Sequence, residues 1–180
     1  MNKKELLRKS VHFSGVIYIP FYEIFGVETL SLSLLALLLI FGFFEFLRIK
    51  KGILKSAFRE NEWNRLGAYF HSLLALTIIT PFFHREAVFT AVSAAIVGDG
   101  FAGVLRTLSK ERIASFSMFF SSLTVVYILG ILNVFSLFAT SFATFVERIK
   151  KVDDLRLEDN FTVPIAAAVA YSAVKYISNA

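Results

Sequence analysis

The chain has 180 residues, 56% of them apolar, with a mean hydropathy of +0.65 and a formal net charge of +5. This composition is too apolar for a soluble domain of that length and predicts a polytopic α-helical membrane protein. The basic residues fit the loops of such a protein, and we do not expect nucleic-acid binding. Because the chain has no cysteine, disulfides, thiol catalysis and cysteine-ligated metals are excluded.

Seven apolar segments, without an internal repeat, predict a single all-α domain over residues 1–180. The expected membrane spans are 6–25, 30–49, 66–83, 87–105, 114–132, 134–148 and 161–178. Pro20 is expected to bend or end the first span. Residues 52–65 have one apolar helical face, which predicts an interfacial amphipathic helix with Trp63 at headgroup depth.

The charges of the loops predict the orientation. With the N-terminus in the cytoplasm, all of the 19 Lys and Arg residues except Arg85 and Lys175 lie on the cytoplasmic side. Basic residues are enriched in the cytoplasmic loops of membrane proteins. The sequence therefore predicts a multi-pass cell-membrane protein with its N-terminus inside and its C-terminus outside.

The fourth span contains a carboxylate, Asp99, between Gly98 and Gly100. An ionisable side chain in an apolar span is costly unless it is paired, hydrated or bound to a cation. The two glycines allow another helix or a ligand to approach closely. Asp99 is therefore either a functional carboxylate or a hydrogen-bonded group on a packing face. We favour the functional interpretation, because helix packing does not require a charge.

The first span brings Arg8, His12 and Gly15 onto one helical face, with Lys9 beside them. Arg8 and Lys9 alone would be explained as interfacial anchors. His12 lies one turn deeper. It is expected either to donate a hydrogen bond to a neighbouring helix or to take part in substrate chemistry.

A second polar group, Asp159 and Asn160, directly precedes the last span. Asn160 or Thr162 is expected to cap that helix, whereas capping accounts less well for Asp159. Carboxylates suit Mg²⁺, and Lys and Arg suit phosphates. Together with Asp99, these residues predict a magnesium and phosphate site that faces the cytosol at the bilayer surface.

Three stretches resemble motifs of the integral-membrane, CTP-dependent lipid kinases, the family of dolichol kinase, phytol kinase and the yeast-type diacylglycerol kinase. ELLRKSVHFSGV (Glu5–Val16) is similar to the family's E-x-x-R-K-x-x-H-x-x-x-G opening. VGDGFAG (Val97–Gly103) resembles its G-D-x-x-A core, and Phe145–Pro164 resembles the closing V-E…D-N-x-T-x-P. The three motifs occur in the family's order and bracket almost the whole chain.

The resemblance implies transfer of the CTP γ-phosphate to the hydroxyl of a long-chain lipid alcohol, such as a polyprenol or dolichol. It implies that Arg8, Lys9, Asp99, Asp159 and Asn160 are functional positions. We expect Mg²⁺ to be held by Asp99 together with Asp159, with Asp99 and His12 as the catalytic residues. His12 or a carboxylate would accept the proton of the alcohol. The residues expected to bind the nucleotide and its phosphates are Arg8, Lys9, Lys110 and Asn160.

The segment after Asp99 departs from the family pattern. Arg106 stands where the family usually has glycine, and KERIAS (Lys110–Ser115) keeps the Lys and Ser of K-S-x-E-G-S but lacks its Glu and Gly. Two other functions stay open. One is a cytidylyltransferase that makes a CDP-lipid, although the Ser/Lys-Arg/Lys-Asp signature associated with those enzymes is missing. The other is a degenerate, non-catalytic relative that uses Asp99 to bind a cation.

Overall fold

The computed structural model describes residues 12–53, 63–108, 110–149, 151–152, 155–156 and 158–179. Helices account for nearly all of them, as the predicted all-α class requires. A short helical segment and a 3₁₀ turn (Gly15–Ile17) lead into the first long helix. The helices are α1 (Tyr18–Lys51), α2 (Ala68–Phe82), α3 (Arg85–Val92), α4 (Asp99–Thr107), α5 (Glu111–Ile128), α6 (Val134–Arg148) and α7 (Asp159–Ser178). A minimal antiparallel hairpin pairs β1 (Lys151–Val152) with β2 (Leu155–Arg156).

Each of the seven predicted spans contains helix, but two details differ from the expectations. Helix α1 continues through Pro20, which lies in its first turn, where its missing N–H has little cost. The backbone instead departs from helical geometry at Gly26. The predicted interfacial helix falls mainly on residues 54–62, which lie outside the described residues.

Helix α1 folds back on itself at Gly26. The hydroxyl of Tyr18 lies 2.7 Å from that of Thr80, and Glu45 accepts a hydrogen bond from Tyr69 at 2.6 Å. A straight helix would separate Tyr18 from Glu45 by about 40 Å, whereas Tyr69 and Thr80 of α2 are only about 16 Å apart. A reversal of the helix direction at Gly26 brings Tyr18 and Glu45 close enough together to contact Thr80 and Tyr69 of α2. Its φ of 74° and ψ of 170° are accessible essentially to glycine alone.

The helix that carries Asp99 lies at the centre of the bundle. Residues Arg85–Thr107 run through α3, a π-helical turn (Ser93–Gly98) and α4. In the most apolar window of this helix 61% of the residues are buried, against 17% for His12–Lys51 and 33% for α7. All residues from Ala87 to Val92 are buried. A helix that is buried on every side needs small or apolar residues all round, as this one has.

The outer surface of the bundle is apolar. Large side chains such as Ile24, Leu32, Phe116 and Ile128 are mostly exposed, and a surface of this kind fits contact with lipid. Among the described residues, three helices are long and apolar enough to cross a membrane: His12–Lys51, Arg85–Thr107 and Asp159–Ser178. Ala68–Phe82 and Ile113–Ile128 are shorter apolar helices. The structure thus agrees with a helical membrane protein.

Candidate functional site

Asp99 directly follows the π-helical turn. Its backbone N–H bonds to the carbonyls of Ala94 and Ile96 in place of the usual partner one turn back. Such turns are rare and often occur at functional sites, because the extra residue changes the direction of the side chains that follow. The π turn therefore sets the direction in which the carboxylate of Asp99 points.

The glycines on both sides of Asp99 serve helix packing. A Cβ on Gly98 would lie 2.1 Å from Oγ of Ser122, and one on Gly100 would lie 2.7 Å from the ring of Phe13. Real Cβ atoms do not approach other atoms so closely. Of the two occupants that the sequence left open, a helix or a ligand, the structure places neighbouring helices against both glycines.

The carboxylate of Asp99 is partly accessible and loosely paired. Its side chain is 24% exposed; Oδ1 lies 3.7 Å from Nη1 of Arg106, and Oδ2 lies 3.9 Å from Nε2 of His12. Both separations exceed hydrogen-bond length. No donor among the described residues makes a hydrogen bond to this carboxylate. Its oxygens therefore remain available to a ligand while two cationic or titratable groups stand nearby.

His12 is hydrogen-bonded to the neighbouring helix, one of the two roles expected for it. Its Nε2 lies 3.1 Å from the carbonyl oxygen of Ala95, within the π turn. A carbonyl oxygen can only accept, so Nε2 carries the proton and Nδ1 is the nitrogen that can accept one when the ring is neutral. The contact ties the N-terminal helix to the turn that places Asp99. The role of His12 toward a substrate stays a prediction.

Arg106 joins Asp99 to a second carboxylate, Glu147. Its Nη2 lies 2.6 Å from Oε1 of Glu147 at the end of α6, and the side chain of Glu147 is only 1% exposed. We call His12, Asp99, Arg106 and Glu147 the Asp99 cluster. In this cluster the guanidinium of Arg106 faces carboxylates from two different helices.

Asp159 and Asn160, two further site candidates, lie on α7 and not on the helix that carries Asp99. Helices α6 and α7 run antiparallel, because Asn133 before α6 donates to Tyr171 near the end of α7 at 3.1 Å. Asp159 and Asn160 at the start of α7 therefore lie at the same end of the bundle as Glu147. Asp159 is half-buried with Oδ1 shielded from solvent, and Oδ1 of Asn160 accepts from Ser72 of α2 at 3.3 Å.

The capping role expected of Asn160 or Thr162 is wrong. Helix α7 begins at Asp159, and its N-cap residue is Glu158, which makes no side-chain capping bond. Asn160 thus lies inside the first turn. Pro164 falls in the second turn, where it cannot donate to the carbonyl of Asn160.

Lys110 is exposed at the N-terminus of α5, and Arg8 and Lys9 lie outside the described residues.

The described histidine and carboxylate side chains do not form a metal-binding cage by themselves. Within the described ranges, no group of three or more His, Asp or Glu side chains is arranged to hold a metal ion. Mg²⁺ usually takes one or two carboxylates and completes its shell with water and substrate phosphates. The partly accessible carboxylate of Asp99 fits this sparse mode of binding and does not fit an all-protein cage.

Sequence reasoning missed a second polar group at the same end of the bundle. Glu45 accepts from Arg48 at 2.9 and 2.6 Å, from Tyr69 at 2.6 Å and from the backbone N–H of Gly67 at 3.0 Å. Arg48 also donates to the carbonyl of Arg65. We call Glu45, Arg48 and Tyr69 the Glu45 cluster. Its signal was present in the sequence, since Glu45 is a carboxylate within an apolar run, as Asp99 is.

A third polar group marks the opposite end of the central helix. Glu86 accepts from the hydroxyl of Tyr171 at 2.6 Å and lies 3.6 Å from Nζ of Lys175. Arg85 pairs with Glu23 at 2.5 Å. These contacts connect α1, α3 and α7 about 20 Å along the helix from Asp99.

No protein-family model, curated protein or solved structure matches the chain.

Proposed function

We propose that the protein is a CTP-dependent kinase of long-chain lipid alcohols. One observation supports this most: each of the three motif-bearing segments contributes a residue to the Asp99 cluster. His12 comes from the first, Asp99 from the second and Glu147 from the third. Segments that are remote in the sequence and meet around a partly accessible carboxylate are typical of a site that needs all of them.

The proposed reaction needs positioning and charge neutralisation more than covalent chemistry. The alcohol oxygen bonds to the γ-phosphorus of CTP, the bond from that phosphorus to the β,γ-bridging oxygen breaks, and CDP leaves. Bound Mg²⁺ would supply neutralisation of the phosphate charge. Asp99 is the proposed ligand, with Asp159 at the same end of the bundle as its candidate partner. Arg8, Lys9, Lys110 and Asn160 remain the proposed contacts to the nucleotide.

The proton of the alcohol needs an acceptor in this reaction. His12 offers Nδ1, since Nε2 donates to Ala95. Asp99 offers Oδ1 and Oδ2, which have no hydrogen bond from a described residue. Arg106 holds the Asp99 and Glu147 carboxylates near each other, and it is the only guanidinium among the described residues paired with both. It is therefore proposed to orient Asp99 and to oppose the build-up of charge on the phosphates.

We further propose that the chain crosses the membrane seven times, with its N-terminus in the cytoplasm and its C-terminus outside. The fold-back at Gly26 supports counting His12–Lys51 as two spans, because its two parts run in opposite directions. The distribution of Lys and Arg supports the orientation. In this arrangement the Asp99 cluster faces the cytosol, where CTP is available, and the lipid alcohol enters sideways from the bilayer.

A product assay tests the reaction and separates it from its rivals. The purified protein is reconstituted with Mg²⁺, a lipid panel that contains long-chain alcohols and a phosphatidate, and CTP labelled at either the α- or the γ-phosphate. The kinase transfers γ-label to an alcohol and releases CDP. A cytidylyltransferase would place α-label on a phosphatidate and release pyrophosphate. Transfer of neither label with any lipid of the panel would contradict the proposal and favour the non-catalytic, cation-binding alternative.

A further inference from the structure

An apolar cleft lies beside the Glu45 cluster, at the end of the bundle that carries Asp99. It has a volume of about 370 Å³, within the range of about 300–1,000 Å³ that small organic ligands occupy. Its wall consists of side chains from α1, α2 and the turn after α1. The described lining residues are Phe41, Phe44, Glu45, Leu47, Arg48, Ile53 and Tyr69.

The chemistry of the cleft favours an apolar occupant. The two charged residues of the lining, Glu45 and Arg48, are buried and bonded to each other. Glu45 accepts four hydrogen bonds, which is the capacity of a carboxylate, so it has no oxygen left for a polar ligand. The other lining residues are aliphatic or aromatic. What the cleft can take is therefore a hydrocarbon chain.

The cleft opens sideways on the lipid-facing surface. Phe41, Phe44 and Ile53 line it and are themselves exposed on the outside of the bundle. Ile53 directly follows Gly52, which ends α1 with a left-handed φ of 69°. A chain that enters here comes from the bilayer and not from water.

The segments of chain next to the cleft carry basic residues, and we refer to Lys50, Lys51 and Arg65 as its rim. Lys50 and Lys51 are exposed at the end of α1, in the chain between the lining residues Arg48 and Ile53. Arg65 is exposed too, and its carbonyl accepts from Arg48 in the floor. Three exposed cations in the chain next to the lining residues match the two parts of an anionic lipid, since basic side chains near a bilayer attract acidic headgroups.

We propose that this cleft binds an anionic phospholipid, with one hydrocarbon chain between α1 and α2 and the headgroup on Lys50, Lys51 and Arg65. This binding is independent of phosphoryl transfer. Charge complementarity at the rim decides for an acidic lipid over a zwitterionic one. Because Glu45 and Arg48 at the base of the cleft are hydrogen-bonded to each other, the hydrocarbon chain is the part of the lipid that is buried there.

Trp63, the single tryptophan of the chain, reports on the cleft directly. It lies two residues from Arg65, so it is within about 7 Å of the rim along the chain. The full chain is reconstituted in phosphatidylcholine vesicles that contain a small fraction of lipid with brominated chains, which quench tryptophan fluorescence on contact. No CTP is added. Brominated phosphatidylglycerol is expected to quench Trp63 several-fold more than brominated phosphatidylcholine at the same fraction, and unbrominated phosphatidylglycerol is expected to relieve the quenching.

Variants test the two parts of the site separately. Lys50→Gln with Lys51→Gln should weaken the preference for the acidic lipid by roughly five-fold for each lysine. Lys175→Gln, a matched change at the opposite end of the bundle, should leave it unchanged. Leu47→Phe fills the cleft and should reduce quenching by the acidic lipid. If that variant fails to fold, Ile53→Phe at the exposed mouth replaces it.

Three results would overturn the proposal. Equal quenching by the two brominated lipids would remove the headgroup selectivity. A preference that survives loss of both lysines would remove the rim as its cause. Relief of quenching by soluble glycerol phosphate, or full quenching in the filled variants, would show that no chain enters the cleft. None of these results bears on the kinase proposal, which a labelled-CTP assay tests by itself.

Discussion

Gly98 offers a sharp test of how the site is held in place. Replacing it with alanine puts a Cβ 2.1 Å from Oγ of Ser122 and 3.0 Å from the carbonyl oxygen of Met118. Ser122 must then give up its buried hydrogen bond to Met118, which is 2.6 Å long in the structure. Leaving that hydroxyl unsatisfied costs about 1–3 kcal/mol. Overpacking of the helix contact costs a further 1–3 kcal/mol or so.

The substitution also brings a gain that has to be subtracted. Alanine is favoured over glycine in a helix by about 0.5–1 kcal/mol. Gly98→Ala is therefore expected to lower the free energy of unfolding by about 1–5 kcal/mol. Gly42 on α1 provides the matched control, because its Cβ would lie 3.6 Å from the ring of Phe70, an ordinary contact. Gly42→Ala is expected to be neutral or to stabilise the protein by up to about 1 kcal/mol.

The assay is the apparent melting temperature of the purified variants in one detergent. A change of 1 kcal/mol moves the midpoint of a soluble domain of this size by about 2–4 °C. The melting temperature should therefore fall in Gly98→Ala and stay the same or rise in Gly42→Ala. Adding Ser122→Ala to Gly98→Ala removes the clashing oxygen and should recover part of the loss. The reasoning is refuted if Gly98→Ala melts at or above the wild-type temperature, or if the second substitution recovers nothing.

Three further predictions follow from the backbone, the buried ion pair and the charge distribution. Gly26→Ala should destabilise the protein by about 1–3 kcal/mol although no atom lies within 4 Å of the new Cβ, because the φ of 74° is strained for any other residue; an unchanged melting temperature would show that the fold-back does not need glycine. Arg106→Gln should destabilise more than Glu147→Gln, since the first removes the guanidinium that faces two carboxylates, whereas the second keeps an amide oxygen that still accepts from Arg106; equal melting temperatures would contradict this. Cysteines introduced at Lys110 and Ala180 of the cysteine-free chain should react with an impermeant thiol reagent in intact cells only at position 180, and labelling at 110 would reverse the proposed orientation.

The positions of the helices could be predicted from hydrophobicity, because each apolar segment is separated from the next by charges or turn residues. The fold-back at Gly26 was also within reach, since the short stretch between the first two segments had to contain a turn. What hydrophobicity could not show is the π turn before Asp99. One additional residue in a turn leaves the apolar pattern of a fully buried helix unchanged, because every side of that helix is apolar.

The composition of the site was predicted only in part. Asp99 and His12 stood out because polar side chains in an apolar span require an explanation. The pairing of Arg106 on α4 with Glu147 on α6 joins residues that are remote in the sequence, so the order of residues does not reveal it. Glu45 was overlooked because its partner Arg48 was counted with the basic loop that follows it. Because α7 begins at Asp159, Asn160 lies inside the helix and does not cap it.

The central claim is that the carboxylate of Asp99 acts in phosphoryl transfer, and Asp99→Asn tests it most directly. The change is nearly isosteric and removes only the charge, so folding should be unharmed. Glu23→Gln is the matched control, since it removes a carboxylate from an exposed ion pair at the far end of the bundle. The measurement is CTP-dependent phosphorylation of a lipid alcohol by the wild type and both variants, with melting temperatures alongside. We predict a loss of activity by orders of magnitude in Asp99→Asn at an unchanged melting temperature, and full activity in Glu23→Gln. A well-folded Asp99→Asn protein with near wild-type activity would contradict the account.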